Sequence, residues 1–105
     1  MYRIEDFVLL NKLENIVITQ HCRKRLAERG LSIKDVCSVI DSGEIIEQYP
    51  ADHPFPSCLI LGKTSDKVVH IVLSMDSGFI YLITAYIPTS DKWMDDWKTR
   101  KETES

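Results

Sequence analysis

The stretch KVVHIVLSMDSGFIYLITAYI, residues 67–87, decides the fold. Two runs rich in β-branched and aromatic residues flank Asp76-Ser77-Gly78, a combination that predicts a β-hairpin. A three-residue loop with Gly78 in the left-handed conformation would pair Met75 with Phe79 and, counting back, set His70 opposite Thr84. Nearly every position in both runs is apolar, as in inner strands with at least one face covered by helices. Strand-like patterning continues upstream in Glu44–Tyr49 and Ser57–Lys63, so four strands are expected, the last two over 67–75 and 79–87. Short links make them an antiparallel meander.

Helical signals precede the strands. Ile4, Phe7, Val8, Leu10 and Leu13 follow a helical stripe, which predicts a short N-terminal helix. Thr19 can cap a helix over 20–29, which Gly30 ends. Ser32 caps the next, with Asp35 three residues on in capping-box position and Ile33, Val36, Cys37 and Ile40 as its buried stripe, up to Gly43. Ser90, after Pro88, is expected to cap a closing helix carrying Trp93, Met94 and Trp97. The fold class is therefore α+β: N-terminal helices on a four-stranded antiparallel meander, with a short C-terminal helix.

At 105 residues, with 44% hydrophobic and 28% charged residues, the chain supports one core and excludes disordered and collagen-like classes. A single domain over 1–97 is expected, followed by a polar tail over 98–105 with too few apolar residues to order itself. Cys22, Cys37 and Cys58 are odd in number and form no CxxC pair, which suits a reducing compartment. Arg3, Glu5, Asp6 and Lys12 interrupt any leader-like run, and no stretch approaches the roughly 20 apolar residues of a membrane span, so the expected location is the cytoplasm. His21, Cys22, His53 and His70 are too scattered for a zinc site, and no phosphate loop, HExxH or GxSxG motif occurs; neither metal nor cofactor is expected.

Net charge is −3, which argues against bulk nucleic-acid coating and makes any anion site local. The local candidate is HCRKRLAERG, residues 21–30, where Arg23, Lys24, Arg25 and Arg29 outnumber Glu28. His21, Arg25 and Arg29 recur at i, i+4 and i+8, drifting only about 80° around a helix, so they share one side. Guanidinium forks and orphan amides at a helix start suit phosphate, although a cationic helix is as often a solvated or partner-docking face. The second candidate is His70, which shares its strand face with Val72 and Ser74 and, through the expected register, with Thr84 and Tyr86. A strand histidine is more often satisfied structurally than used in chemistry.

On these residues the chain resembles a small bacterial family catalogued as domain of unknown function 4258. The resemblance rests on His21, Arg25, Glu28-Arg29-Gly30 and Leu31-Ser32, then on Gly43-Glu44-Ile45-Ile46, Tyr49-Pro50, Cys58 to Gly62, Val69-His70-Ile71-Val72, Thr84 to Pro88 and Trp93, and it spans 16–97. Such proteins look similar in element order to the RelE and BrnT toxins, which cut RNA and are held inactive by an antitoxin. The resemblance implies a metal-independent endoribonuclease in which a ribose 2′-hydroxyl attacks its own phosphodiester. His21 and His70 would move protons, Arg25 and Arg29 would hold the phosphate, and Thr84 and Tyr86 would orient the nucleotide. RNA and an antitoxin or other protein would be the partners. The alternative expectation is a non-catalytic interaction module whose basic helix docks an acidic protein.

Overall fold

The computed structural model describes residues 1–102. In chain order the elements are α1 (Ile4–Leu10), a single 3-10 turn (Leu13–Asn15), β1 (Ile16–Ile18), α2 (Gln20–Glu28), α3 (Ile33–Ser42), β2 (Glu44–Tyr49), β3 (Ser57–Lys63), β4 (Val68–Asp76) and β5 (Phe79–Tyr86). The α+β class holds, but the sheet has five strands in the order β1-β5-β4-β3-β2. Strands β2 to β5 form the antiparallel meander, and β1 adds to β5 in parallel. Three residues are too few to show a period, and the partner of β1 lies more than sixty residues downstream, so Ile16-Val17-Ile18 carries no local sign of its strand.

Both helix caps form as their residues dictate. Thr19 Oγ1 accepts from the Cys22 amide at 3.1 Å. At α3, Ser32 Oγ accepts from the Asp35 amide at 3.1 Å while Asp35 Oδ2 accepts from the Ser32 amide at 2.9 Å. Cys22 and Leu26 of α2 and Val36, Val39 and Ile40 of α3 pack on the sheet face bearing Ile60, Ile71, Leu73, Leu82 and Ala85. Val39, absent from the expected stripe, is wholly buried, whereas Cys37 is half-buried. The reason is Gly62: with no side chain there, α3 settles onto β3 so closely that an added Cβ would lie 2.3 Å from the Val39 carbonyl oxygen.

The β4–β5 hairpin differs from expectation by one residue at the turn and by one more along the strands. Asp76 pairs with Phe79, leaving a two-residue loop in which Ser77 (φ 51°) and Gly78 (φ 82°) are both left-handed, the geometry whose twist matches the flanking strands. A bulge between Val72 and Leu73 shifts the register again. His70 therefore opposes Tyr86, and Thr84 opposes Val72.

The expected C-terminal helix is not formed. Thr89 Oγ1 bonds the Asp91 carboxylate, and Asp96 Oδ1 accepts from the amides of Lys98 and Thr99, both at 3.0 Å. Such local side-chain bonds compete with helical ones. Instead the segment doubles back, with Met94 N–H donating to Thr99 O at 2.8 Å, Lys101 N–H to Lys92 O at 2.9 Å, and a β-bridge between Trp93 and Arg100. Of the tail expected to be unordered, 103–105 lie outside the described residues, whereas Lys98, Thr99 and Arg100 all make hydrogen bonds.

Gly62→Ala is expected to lower stability by about 1–3 kcal/mol, read as a lower urea midpoint with unchanged slope. An unchanged midpoint would mean that α3 does not rest on β3 at this point.

Candidate functional site

The strand alternation that puts Ile71 into the helix-side core turns His70 to the other face, in one row with Leu61 and Tyr86. That face is covered there by the C-terminal segment. His70 is fully buried, and Trp93 stands edge-on to it with ring centroids 4.4 Å apart at 89°. Both ring nitrogens are used. Nε2 lies 2.6 Å from the Trp97 carbonyl oxygen, which can only accept, so Nε2 carries the proton. Nδ1 is then the acceptor for the Tyr86 hydroxyl at 3.1 Å. Burial lowers the His70 pKa below its usual 6.5, against the raising influence of the Trp97 carbonyl and Glu47. Trp97 itself has φ 62°, an uncommon conformation for a residue with a Cβ.

Charged residues close the rim. Arg100 donates from Nε to Glu47 Oε2 at 2.8 Å and from Nη2 to Oε1 at 3.0 Å, a bidentate pair, and lies 4.6 Å over the Trp93 ring. Tyr49 donates to the same carboxylate. The Arg100 bonds hold the Glu47 carboxyl below the usual range, while burial and the bond to Glu47 push the Tyr49 phenol up to about 12. Lys98 reaches Glu44 at 3.3 Å, so two cations of the C-terminal segment grip two carboxylates of β2.

The six residues singled out in the sequence fall into three places. His70 and Tyr86 meet on the covered face. Arg29 and Thr84 meet at the edge of β5 beyond the end of β1, where Arg29 Nη1 donates to the Ala85 carbonyl at 2.6 Å and to Thr84 Oγ1 at 3.3 Å. His21 and Arg25 stand exposed on α2, on the helix side of the sheet, and their side chains make no hydrogen bond or ion pair among the described residues. The single pocket joining His21 to His70 is not formed, because α2 and the imidazole of His70 lie on opposite faces of β4 and β5. Glu47, Tyr49 and Arg100 were not singled out; the i, i+2 spacing of Glu47 and Tyr49 put both on one strand face, but nothing local pairs them with Arg100.

Arg23, Lys24 and Arg25 are exposed, and none lies within 4.0 Å of a carboxylate among the described residues. Among the described residues no three His, Cys, Asp or Glu side chains are grouped to hold a metal ion, and no helix is long and apolar enough to cross a membrane.

Residues 18–87 match the family model described as domain of unknown function (DUF4258). The chain belongs to this family. The match runs from the end of β1 to the residue after β5, so the DUF4258 region contains α2, α3 and the whole meander, while α1 and the C-terminal segment that covers His70 lie outside it. No curated protein and no solved structure matches the chain.

Because His70 is neutral when folded and its proton affinity is lower than in the unfolded chain, acid favours unfolding. Its contribution is intact above about pH 6.5 and is lost as pH falls from there through the lowered pKa. Glu47, also lowered, adds its loss only at more acid pH. Urea midpoints measured between about pH 7.5 and about pH 5.5 are expected to fall for the wild-type chain and to fall less for His70→Phe, which cannot titrate. Parallel slopes for the two proteins would contradict a neutral buried imidazole.

Proposed function

We propose that this DUF4258 domain is a non-catalytic interaction module that docks an acidic protein through exposed cations of α2. The observation that carries the reading is the state of the charges: three consecutive cations, Arg23, Lys24 and Arg25, project from one short helix without carboxylate partners among the described residues, in a protein of net charge −3. Surface cations normally gain little from pairing, but a like-signed cluster steers an oppositely charged partner and sets its register. His70, with both nitrogens engaged and no exposure, serves as a hydrogen-bonding staple in this reading. Three free cysteines suit work in the reducing cytoplasm.

A second reading, a toxin-type endoribonuclease with a RelE-like fold, draws on one feature: His21 and Arg25 are exposed together one turn apart on α2, where an RNA phosphate can reach both. An imidazole there would move the proton of the 2′-hydroxyl and the guanidinium would hold the phosphate charge. It has no second imidazole beside it, and this ranks the reading below docking.

Affinity capture from the native cell after RNase treatment separates the two. Docking predicts a protein partner recovered with the wild-type chain and reduced about ten-fold or more with the triple reversal Arg23→Glu, Lys24→Glu, Arg25→Glu. Docking also predicts that RNA incubated with the purified protein in EDTA stays at background for wild type and His21→Ala alike. Cleavage lost in His21→Ala would transfer the assignment to the nuclease.

A further inference from the structure

The notch between α2 and α3 deepens the docking reading and rests on it. The chain turns at Gly30 and brings the start of α3 beside the end of α2, and Leu13 of the 3-10 turn joins the wall. The result is an open groove of about 470 Å3, within the roughly 300–1,000 Å3 of concave sites that accept a ligand or a few side chains. Its surface is largely apolar: Leu26 and Leu31 form the base, and Ala27 and Leu13, the latter 57% exposed, form the sides. Arg23 and Lys34 are the charged residues that line it; they stand on different helices, and neither is paired with a carboxylate among the described residues.

We infer that this groove seats an amphipathic helix of an acidic protein partner, with apolar side chains on the leucine floor and carboxylates against Arg23 and Lys34. An apolar floor between two cations is complementary to such a helix, whose i, i+3, i+4 and i+7 side chains form one apolar stripe with acids beside it. RNA would satisfy the cations but leave the floor unfilled, and the groove has no aromatic ring on which a base could stack. The helix geometry also divides α2. Arg23 and Arg25 are about 160° apart around its axis, so the groove uses the first cation and not the second.

The test uses three probes against the full chain, by fluorescence anisotropy at about 0.15 M salt and by amide chemical-shift mapping. They are a synthetic helix of about fifteen residues with leucines on one stripe and glutamates elsewhere, a peptide of the same composition with the stripe scrambled, and a single-stranded RNA oligonucleotide. The amphipathic peptide is expected to bind about ten-fold more tightly than the scrambled one and to shift the amides of Ala27 and Leu31. Ala27→Arg, which fills the groove at an exposed helical position while adding positive charge, is expected to weaken that binding about ten-fold, as is the pair Arg23→Glu and Lys34→Glu. Arg25→Glu is expected to change it by no more than about three-fold. Equal binding of the two peptides, or loss in Arg25→Glu with Ala27→Arg unaffected, would overturn the groove while leaving docking on α2 in place. No binding of either peptide, or self-association that protects Ala27, would also overturn it. Preference for the RNA over both peptides would overturn the groove and the docking function together.

Discussion

The neutral imidazole of His70 holds together parts of the chain that local sequence would leave apart. Its Nε2–H fixes the Trp97 carbonyl, its Nδ1 holds the Tyr86 hydroxyl, and its ring receives Trp93. A carbonyl in the left-handed conformation at Trp97 is costly by itself, and the buried donor facing it offsets that cost. Arg100, over Trp93 and forked onto Glu47, closes the same assembly from outside. The C-terminal segment thereby becomes the second cover of a sheet whose first cover is α2 and α3, and β4, central in the sheet, is shielded on both faces.

That cover decides where function can lie. Chemistry on the sheet face beneath Trp93 would require the segment to leave, which costs the bonds just named and exposes a tryptophan that is 2% accessible. Arg29 is committed to the Ala85 carbonyl at the edge of β5. Among the described residues, Arg23, Lys24 and Arg25 of α2 and Lys34 at the start of α3 make no side-chain hydrogen bond or ion pair, and these four lie together on the helical layer, whereas Lys12, Lys63, Lys92 and Lys101, also unpaired, are spread over other segments. The proposed partner surface uses cations of α2 and α3, which fall inside the DUF4258 region, whereas the cover over His70 comes from residues beyond it.

The sequence foretells what depends on short-range rules. Thr19, Ser32 and Asp35 mark their helix starts because a side-chain oxygen three residues from an orphan amide is a local event. The strands β2 and β3 are legible to the residue, and Gly78 takes the left-handed conformation expected of it. Failures begin where distance in the chain enters. The bulge at Val72 and Leu73 is a property of two strands fitting together, and together with the shorter turn it moves Tyr86 into the place expected for Thr84. Trp93 and Trp97 have helical spacing, yet Asp96 and the pull of His70 fold them into a loop. The site residues are legible one by one; that α2 and His70 occupy different faces depends on the three-dimensional order of layers, which no local spacing encodes.

The state of the His70 ring is the point on which the cover, and the proposal that function lies on the helices, depends most directly. Nitrogen-15 NMR of the histidine rings reads it in the intact protein. The geometry predicts a neutral Nε2–H tautomer for His70 that persists as pH falls through about 6.5, the ordinary histidine value. An Nδ1–H tautomer, or titration at the ordinary value, would mean that the ring is open to solvent and that the C-terminal segment does not close over it.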